Sequence, residues 1–318
     1  MVDAKRVLVT GASGFIGRAL CEHLVAKGCY VRAVVRSRVE RPVEGVCYVQ
    51  CDIERSTDYR ALVEGMDFVA HLAARAHGKG GRSRQTLEAF TDCNVLPTQH
   101  LAEASVIEGV KRFLFLSSIG VHGDHSEVEP LSERSPLTPR AYYAESKLQA
   151  EQALRTAVSG TGTSFSIIRP VLVYADDAPG NFSKLVRISA SGLPLPLRWA
   201  NNKRSLVSLR SLVDLIELCI ERVEAADEIY VAADRNPVST RELVMALREG
   251  MGQRARLFPV PVSWMRQGLA LLGRKSIYQQ LFGDLVVDSG KAVRELGWLN
   301  EENPLNEIRL IGLRKGRK

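Results

Sequence analysis

Arg6-Val7-Leu8-Val9-Thr10, followed at once by Gly11-Ala12-Ser13-Gly14-Phe15-Ile16-Gly17, reads as a β-strand, a glycine turn and the first turn of a helix. A pyrophosphate can lie against the N–H groups at a helix start, where the helix dipole also favours negative charge, provided the turn can approach it closely. Side chains at Gly11, Gly14 or Gly17 would obstruct the turn, the phosphate or the packing of helix on strand. A glycine triplet alone is a weak signal; its place after the first strand of a strand–helix–strand unit gives it force. Outward from it, strands are expected at Tyr30–Val35, Val46–Cys51, Asp67–Leu72, Phe113–Ser117 and Phe165–Arg169, with helices at Ile16–Lys27, Tyr59–Glu64, Leu87–Glu108 and Tyr142–Ser159. Several strands are almost wholly apolar, as when helices cover both faces of a parallel sheet. The expected fold is therefore α/β, a doubly wound parallel sheet over residues 1–170 with a smaller mixed α/β substrate lobe over 171–318. Prolines punctuate the second half, and segments such as 206–232, with a strand-like run at Glu228–Ala232, are expected to return to the first domain.

Bulk properties exclude more than they select. The 318 residues are 45% apolar and 25% charged, an ordinary globular composition. The N-terminus runs into its first strand without the apolar stretch and cleavage site of a secretory signal, so a cytoplasmic location is expected. No segment has the roughly 18 uninterrupted apolar residues of a spanning helix; Val260 to Leu272 is short, carries Arg266 and Gln267, and reads as a core or interface helix. Cys21, Cys29, Cys47, Cys51, Cys93 and Cys219 form no C-x-x-C pair and have no histidine-rich partner, so reduced, mostly packing thiols and no metal are expected. The net charge of +7 suits nucleic acid, an anionic membrane or a phosphorylated small molecule. Its basic residues are spread out apart from a frayed tail at Leu313–Lys318, and Gly78–Arg84 reads as a mobile loop.

Two further stretches bear on chemistry. An acidic residue at the end of the second strand binds a ribose 2′-hydroxyl, whereas an arginine accommodates a 2′-phosphate; Val34-Val35-Arg36-Ser37-Arg38 therefore points to NADP(H), with NAD(H) left possible if Arg36 and Arg38 are only solvated cations. Asp52-Ile53, after the third strand, is placed to meet an adenine. Tyr143-Ala144-Glu145-Ser146-Lys147 puts a phenol and an ammonium on one helix face, about 6 Å apart along the axis. A phenol ionises near pH 10, so proton transfer near neutrality needs about 4 kcal/mol in favour of the phenolate, which a close ammonium and a cationic nicotinamide can supply. Ser118, at the end of the fifth strand, can hold a substrate oxygen while Tyr143 moves the proton. A surface Tyr/Lys pair or a strand-end serine is commonplace; their order after the glycine turn is not.

These residues resemble the extended short-chain dehydrogenase/reductase family, within it the UDP-galactose 4-epimerase-like enzymes. The matching stretches are Thr10–Gly17, Cys51–Ile53, His71–Ala74, Asn94–Thr98, Phe115–Gly123, Tyr143–Lys147 and Ile167–Tyr174. The resemblance implies a catalytic set of Ser118, Tyr143 and Lys147. It implies a cofactor site built from Gly11, Ser13, Gly14, Phe15, Ile16, Gly17, Arg36, Asp52, Ile53, Leu72, Ala73, Ala74, Asn94, Tyr143, Lys147 and Pro170, with His71 structural beside it. Asn181 and Arg204 would meet the UDP moiety, while the family's later phosphate-binding arginine has no clean counterpart before Gly283. Dehydratases carry an acid pair after the serine, where this chain has Ile119 and Gly120. Leu193–Ile216 and the Asp288–Trp298 ending resemble bacterial UDP-4-keto-6-deoxy-N-acetylhexosamine C4 reductases, which make UDP-N-acetylfucosamine or UDP-N-acetylquinovosamine for lipopolysaccharide O-antigen. The alternatives are a UDP-(N-acetyl)hexose 4-epimerase with tightly bound NAD and, remotely, a non-catalytic dinucleotide sensor. A UDP-sugar partner, no nucleic acid, no integral membrane segment and a homodimer through the helices at 87–108 and 142–159 complete the expectation.

Overall fold

In the computed structural model, the residues described are 4–54, 58–76, 86–271, 273, 275–301 and 303–316, so the loop expected at Gly78–Arg84 lies outside them. Strands β1 (Arg6–Thr10), β2 (Tyr30–Val35), β3 (Val46–Gln50), β4 (Phe68–His71), β5 (Arg112–Leu116) and β6 (Ser164–Pro170) fall within a residue or so of their expected spans. With β9 (Glu228–Ala232) they make a seven-stranded sheet in the order β3-β2-β1-β4-β5-β6-β9, every pairing parallel. The remaining strands, β7 (Leu172–Tyr174) and β8 (Leu206–Ser208), pair with each other.

The alternation of buried residues explains the layers. On one face Val7, Val9, Ala33, Leu114, Leu116 and Ile168 pack with helices α1 (Phe15–Ala26) and α6 (Leu209–Glu221). On the other, Leu8, Val69, Phe113, Phe115 and Ile167 pack with α3 (Leu87–Ile107) and α4 (Tyr142–Val158). Short α2 (Arg60–Val63) joins the second layer through Leu62 and Val63. A smaller core holds Tyr174 of β7, Phe182 of α5 (Asn181–Ala190), Leu243 and Leu247 of α7 (Thr240–Gly250), and Ile308 and Ile311 of α11 (Pro304–Gly316). α8 (Val262–Leu271), α9 (Lys275–Phe282) and α10 (Gly290–Leu296) complete the chain. α8 is not the core helix its apolar residues allowed: none of its residues is buried. All six cysteines are free; Cys21 and Cys219 are buried, but Cys47 is exposed and packs nothing away from water.

The strand order reverses between β1 and β4, and ligands of open α/β sheets bind at the carboxyl ends of strands at such a switch point. Gly11 follows β1 there and Leu72 follows β4.

Candidate active site

A cleft of about 300 Å³ opens at this switch point, walled by Gly11, Ser13, Gly14, Arg36, Ile53, Leu72, Ala73 and Ala74 among others. Gly11 adopts φ +68°, and a Cβ there would stand 2.8 Å from the Ala73 nitrogen. At Gly14 it would lie 3.0 Å, and at Gly17 2.2 Å, from the Gly11 carbonyl oxygen. Gly14 caps α1 with no side chain, so its first-turn N–H groups face the turn. The bare helix start and the side-chain-free approach are what a dinucleotide pyrophosphate requires. Phe15, Ile16, Gly17, Asp52, Asn94, Tyr143, Lys147 and Pro170 stand outside the walls of this cleft; Phe15 and Ile16 instead pack into the two cores beside α1. Residues that went unforeseen line it: Cys51, Glu54, Arg75, Ala76 and Cys93. Arg36 lies 3.9 Å from Glu54, whose other oxygen accepts from the Cys93 thiol at 3.2 Å.

The β4 wall is held by a buried relay. The Thr98 hydroxyl donates to the Asn94 carbonyl at 2.6 Å, so it accepts from His71 Nε2–H at 3.0 Å. His71 Nδ1 then accepts from the Thr10 hydroxyl at 2.7 Å, whose oxygen accepts from the Ala73 N–H at 3.2 Å. The neutral tautomer thus fixes Ala73 against Gly11. Burial, assisted by the Lys147 charge, pushes the His71 imidazole from 6.5 down to about 3. Unfolding therefore takes up a proton at His71 between those values, and the stability present above pH 6.5 is lost as the pH falls towards 3. In His71→Gln, the acid side of a plot of urea midpoint against pH is expected to flatten over this window; an unchanged slope would contradict the account.

α4 presents Tyr143, Lys147 and Glu151 one turn apart on one face. Lys147 is 1% exposed; its Nζ donates to the Leu116 carbonyl at 2.7 Å and lies 4.3 Å from the Phe115 ring centre. Ser118, two residues on, accepts from the Gly120 N–H at 3.1 Å and caps the 3-10 turn Ile119–His122. A Cβ at Gly120 would lie 3.3 Å from Ser118 Oγ and 3.4 Å from Ala144 Cβ, which places the serine against the start of α4. Tyr143 packs edge-on to Phe90 at 6.5 Å, and among the described residues its hydroxyl has no hydrogen-bond partner. The expected lowering of the phenol by its neighbouring ammonium is not seen. Burial pushes Tyr143 up to about 12, and burial brings Lys147 down to about 7 against the opposing pull of Glu151. Asn94 ties the layers together, donating to Ser146 Oγ at 2.9 Å and accepting from the Arg75 N–H at 2.8 Å.

Behind Lys147 sits an ion pair that sequence reading missed. Arg169 of β6 grips Glu151 through Nε at 3.0 Å and Nη2 at 2.5 Å, both side chains being 3% exposed. Ser117 donates to the same carboxylate, and Arg169 Nη1 donates to His122 Nε2 at 2.9 Å. The signal was available: an arginine inside an apolar strand needs a buried partner, and Glu151 follows Lys147 at helical spacing. In the second half, Arg204 donates to the carbonyls of Gln279 and Gly283 at 3.2 and 3.1 Å. Asn181 is exposed at the start of α5, its Oδ1 3.4 Å from Lys184 Nζ. Neither lines the cleft at the switch point. His23, Asp214 and Glu217 bring ligand-type atoms within 4.8 Å of one another, but Lys27 already places its ammonium 3.2 Å from Glu217.

Comparison with known proteins gives this geometry its lineage. Residues 7–233 match the model of the NAD dependent epimerase/dehydratase family. The chain is 35% identical to UDP-glucose 4-epimerase of Vibrio cholerae over 297 residues, covering 92% of this chain and 90% of that protein. It is 28% identical to a 4-hydroxy-2-methyl-3-oxo-4-farnesyl-3,4-dihydroquinoline-1-oxide ketoreductase of Stigmatella aurantiaca over 334 residues, with 96% of each covered. The fold superposes on UDP-glucose 4-epimerase of Thermotoga maritima with a TM-score of 0.79 at 21% identity, covering 98% of this chain and 99% of that one. No helix among the described residues is long and apolar enough to cross a membrane. With a glycine turn at the switch point and a family match that spans the whole main sheet, the chain belongs to the NAD dependent epimerase/dehydratase family of extended short-chain dehydrogenase/reductases and is an enzyme of the epimerase–oxidoreductase kind.

Proposed function

We propose that the enzyme reduces C4 of a UDP-4-keto-6-deoxy-N-acetylhexosamine, with Tyr143 giving the proton to O4, Ser118 holding that oxygen, and Lys147 orienting the site from its anchor on Leu116. The bound nicotinamide supplies the hydride. The observation that carries the reading is the juxtaposition of Ser118 with the helix of Tyr143: the turn that Ser118 caps brings Gly120 against Ala144, next to the tyrosine, so hydroxyl and phenol meet at the start of α4. Burial holds the phenol above its usual range, in the protonated state needed by a residue that must give a proton away. Gly11, Ser13 and Gly14 would hold the pyrophosphate and Ile53 the adenine face. Residues 171–318, with Asn181 and Arg204, would hold the UDP moiety, and the exposed stripe Leu96, His100, Glu103 and Ile107 on α3 would pair with a second copy. Incubation with the 4-keto sugar and NAD(P)H is expected to consume cofactor mole for mole with product. The kinship with UDP-glucose 4-epimerase of Vibrio cholerae favours a second reading, a UDP-hexose 4-epimerase with retained NAD. That reading expects interconversion of two UDP-sugars with no net cofactor change.

Arg36 is the residue proposed to select NADP(H), since it lines the cleft at the end of β2. Glu54 competes for it at 3.9 Å. In Arg36→Ala, KM for NADPH is expected to rise about tenfold, the scale of one lost charged hydrogen bond, while KM for NADH moves little. Equal effects on both cofactors would remove Arg36 from the selection.

A further inference from the structure

From Met251 to Asp284 no described residue is buried, although the stretch is rich in apolar side chains. α8 packs on α9, and Leu257 and Phe282 fasten this part to the body through Leu197, Ala200 and Val244. Trp264 nevertheless stands 69% exposed and Leu271 89%. Residues 250–283 also hold Arg254, Arg256, Arg266, Arg274 and Lys275 with no Asp or Glu, so this one stretch contributes +5 to a chain whose net charge is +7. A second copy of the same surface would set positive charge against positive charge. A nucleic acid would take the arginines but leave Trp264, Met265, Leu269 and Leu271 in water. Arg266 shares α8 with the exposed Trp264 and Leu271, and the exposed Arg254 and Arg256 precede that helix in the same stretch. Cations and apolar side chains so close along the chain suit a surface that offers phosphates above and acyl chains below.

We propose that the α8–α9 segment docks the protein on an anionic lipid surface. Trp264 and Leu271 enter the boundary between headgroups and acyl chains, and Arg254, Arg256 and Arg266 lie on lipid phosphates. The docking face is joined to the Arg204 edge of the second half, because Arg204 holds the carbonyls of Gln279 and Gly283 at the end of α9. Docking is independent of which sugar is reduced or epimerised, so it is measured without substrate.

The experiment is co-sedimentation of the full chain with phosphatidylcholine vesicles containing about one-third phosphatidylglycerol, against phosphatidylcholine alone, at low and high salt. Retention on the anionic vesicles alone, relieved by salt, is expected. Trp264→Ser/Leu271→Ser should abolish it. Arg254→Gln/Arg256→Gln/Arg266→Gln should weaken it about a hundredfold, at roughly fivefold for each cation near the surface. Val128→Ser, a substitution at a fully exposed position elsewhere, serves as control and should leave retention unchanged. Thermal melting confirms that each variant folds. No retention, equal retention on neutral vesicles, loss in the Val128 control, or variants that change oligomeric state while leaving retention intact would each overturn the proposal.

Discussion

Tyr143→Phe is expected to lower turnover about 10³-fold, within the range contributed by a positioned proton donor, while nucleotide binding and the melting temperature stay close to those of the parent. The two effects separate because of what the hydroxyl touches. Its ring packs on Phe90, a contact that phenylalanine keeps, and among the described residues no group loses a hydrogen bond when the oxygen goes. The loss therefore falls on the transition state alone, where O4 gains charge without a donor. Single-turnover hydride transfer measures the rate, and thermal melting the fold. A variant that retained a tenth of the parent rate would show that the proton comes from elsewhere.

Glu151→Gln is expected to destabilise the fold by about 3–5 kcal/mol, the cost of leaving a buried charge without its counter-ion. Arg169 is 3% exposed and holds both oxygens of that carboxylate. Its remaining acceptor is His122, whose Nδ1–H donates to the Ser135 and Pro136 carbonyls at 3.1 and 3.2 Å, leaving Nε2 to receive the guanidinium. An imidazole so engaged cannot neutralise the arginine, and burial and the Arg169 charge hold it below its usual range. The double replacement Glu151→Leu/Arg169→Met is expected to recover most of the loss, since apolar residues can stand in for a buried pair. Urea denaturation of the two variants measures this. A single variant that lost less than about 1 kcal/mol would mean the pair is solvated.

The main sheet was legible because β1, β4 and β5 are runs of buried apolar residues, which read the same in sequence and in space. The glycine turn was legible because each of its glycines meets a backbone atom that a side chain would strike. Cys93 and Glu54 were not. They are 39 positions apart and meet only because the fold brings the start of α3 to the chain that follows β3. The ionisation of Tyr143 was also out of reach. Spacing announces that Lys147 is one turn away, but not that its ammonium is committed to Leu116 and that burial dominates at the phenol. α8 carries the apolar residues of a packed helix, and no pattern in it revealed that none of its residues is fully buried.

The seventh strand of the sheet has a consequence for biosynthesis. β9 pairs with β6 from Ser166↔Glu228 to Pro170↔Ala232, some 60 residues downstream in the chain. Until that segment leaves the ribosome, the nascent polypeptide exposes β6 as an open edge, a template for pairing with neighbouring chains. A fragment released at residue 170 would carry the complete glycine turn and the Tyr143 helix yet keep that edge bare, so it is expected to aggregate.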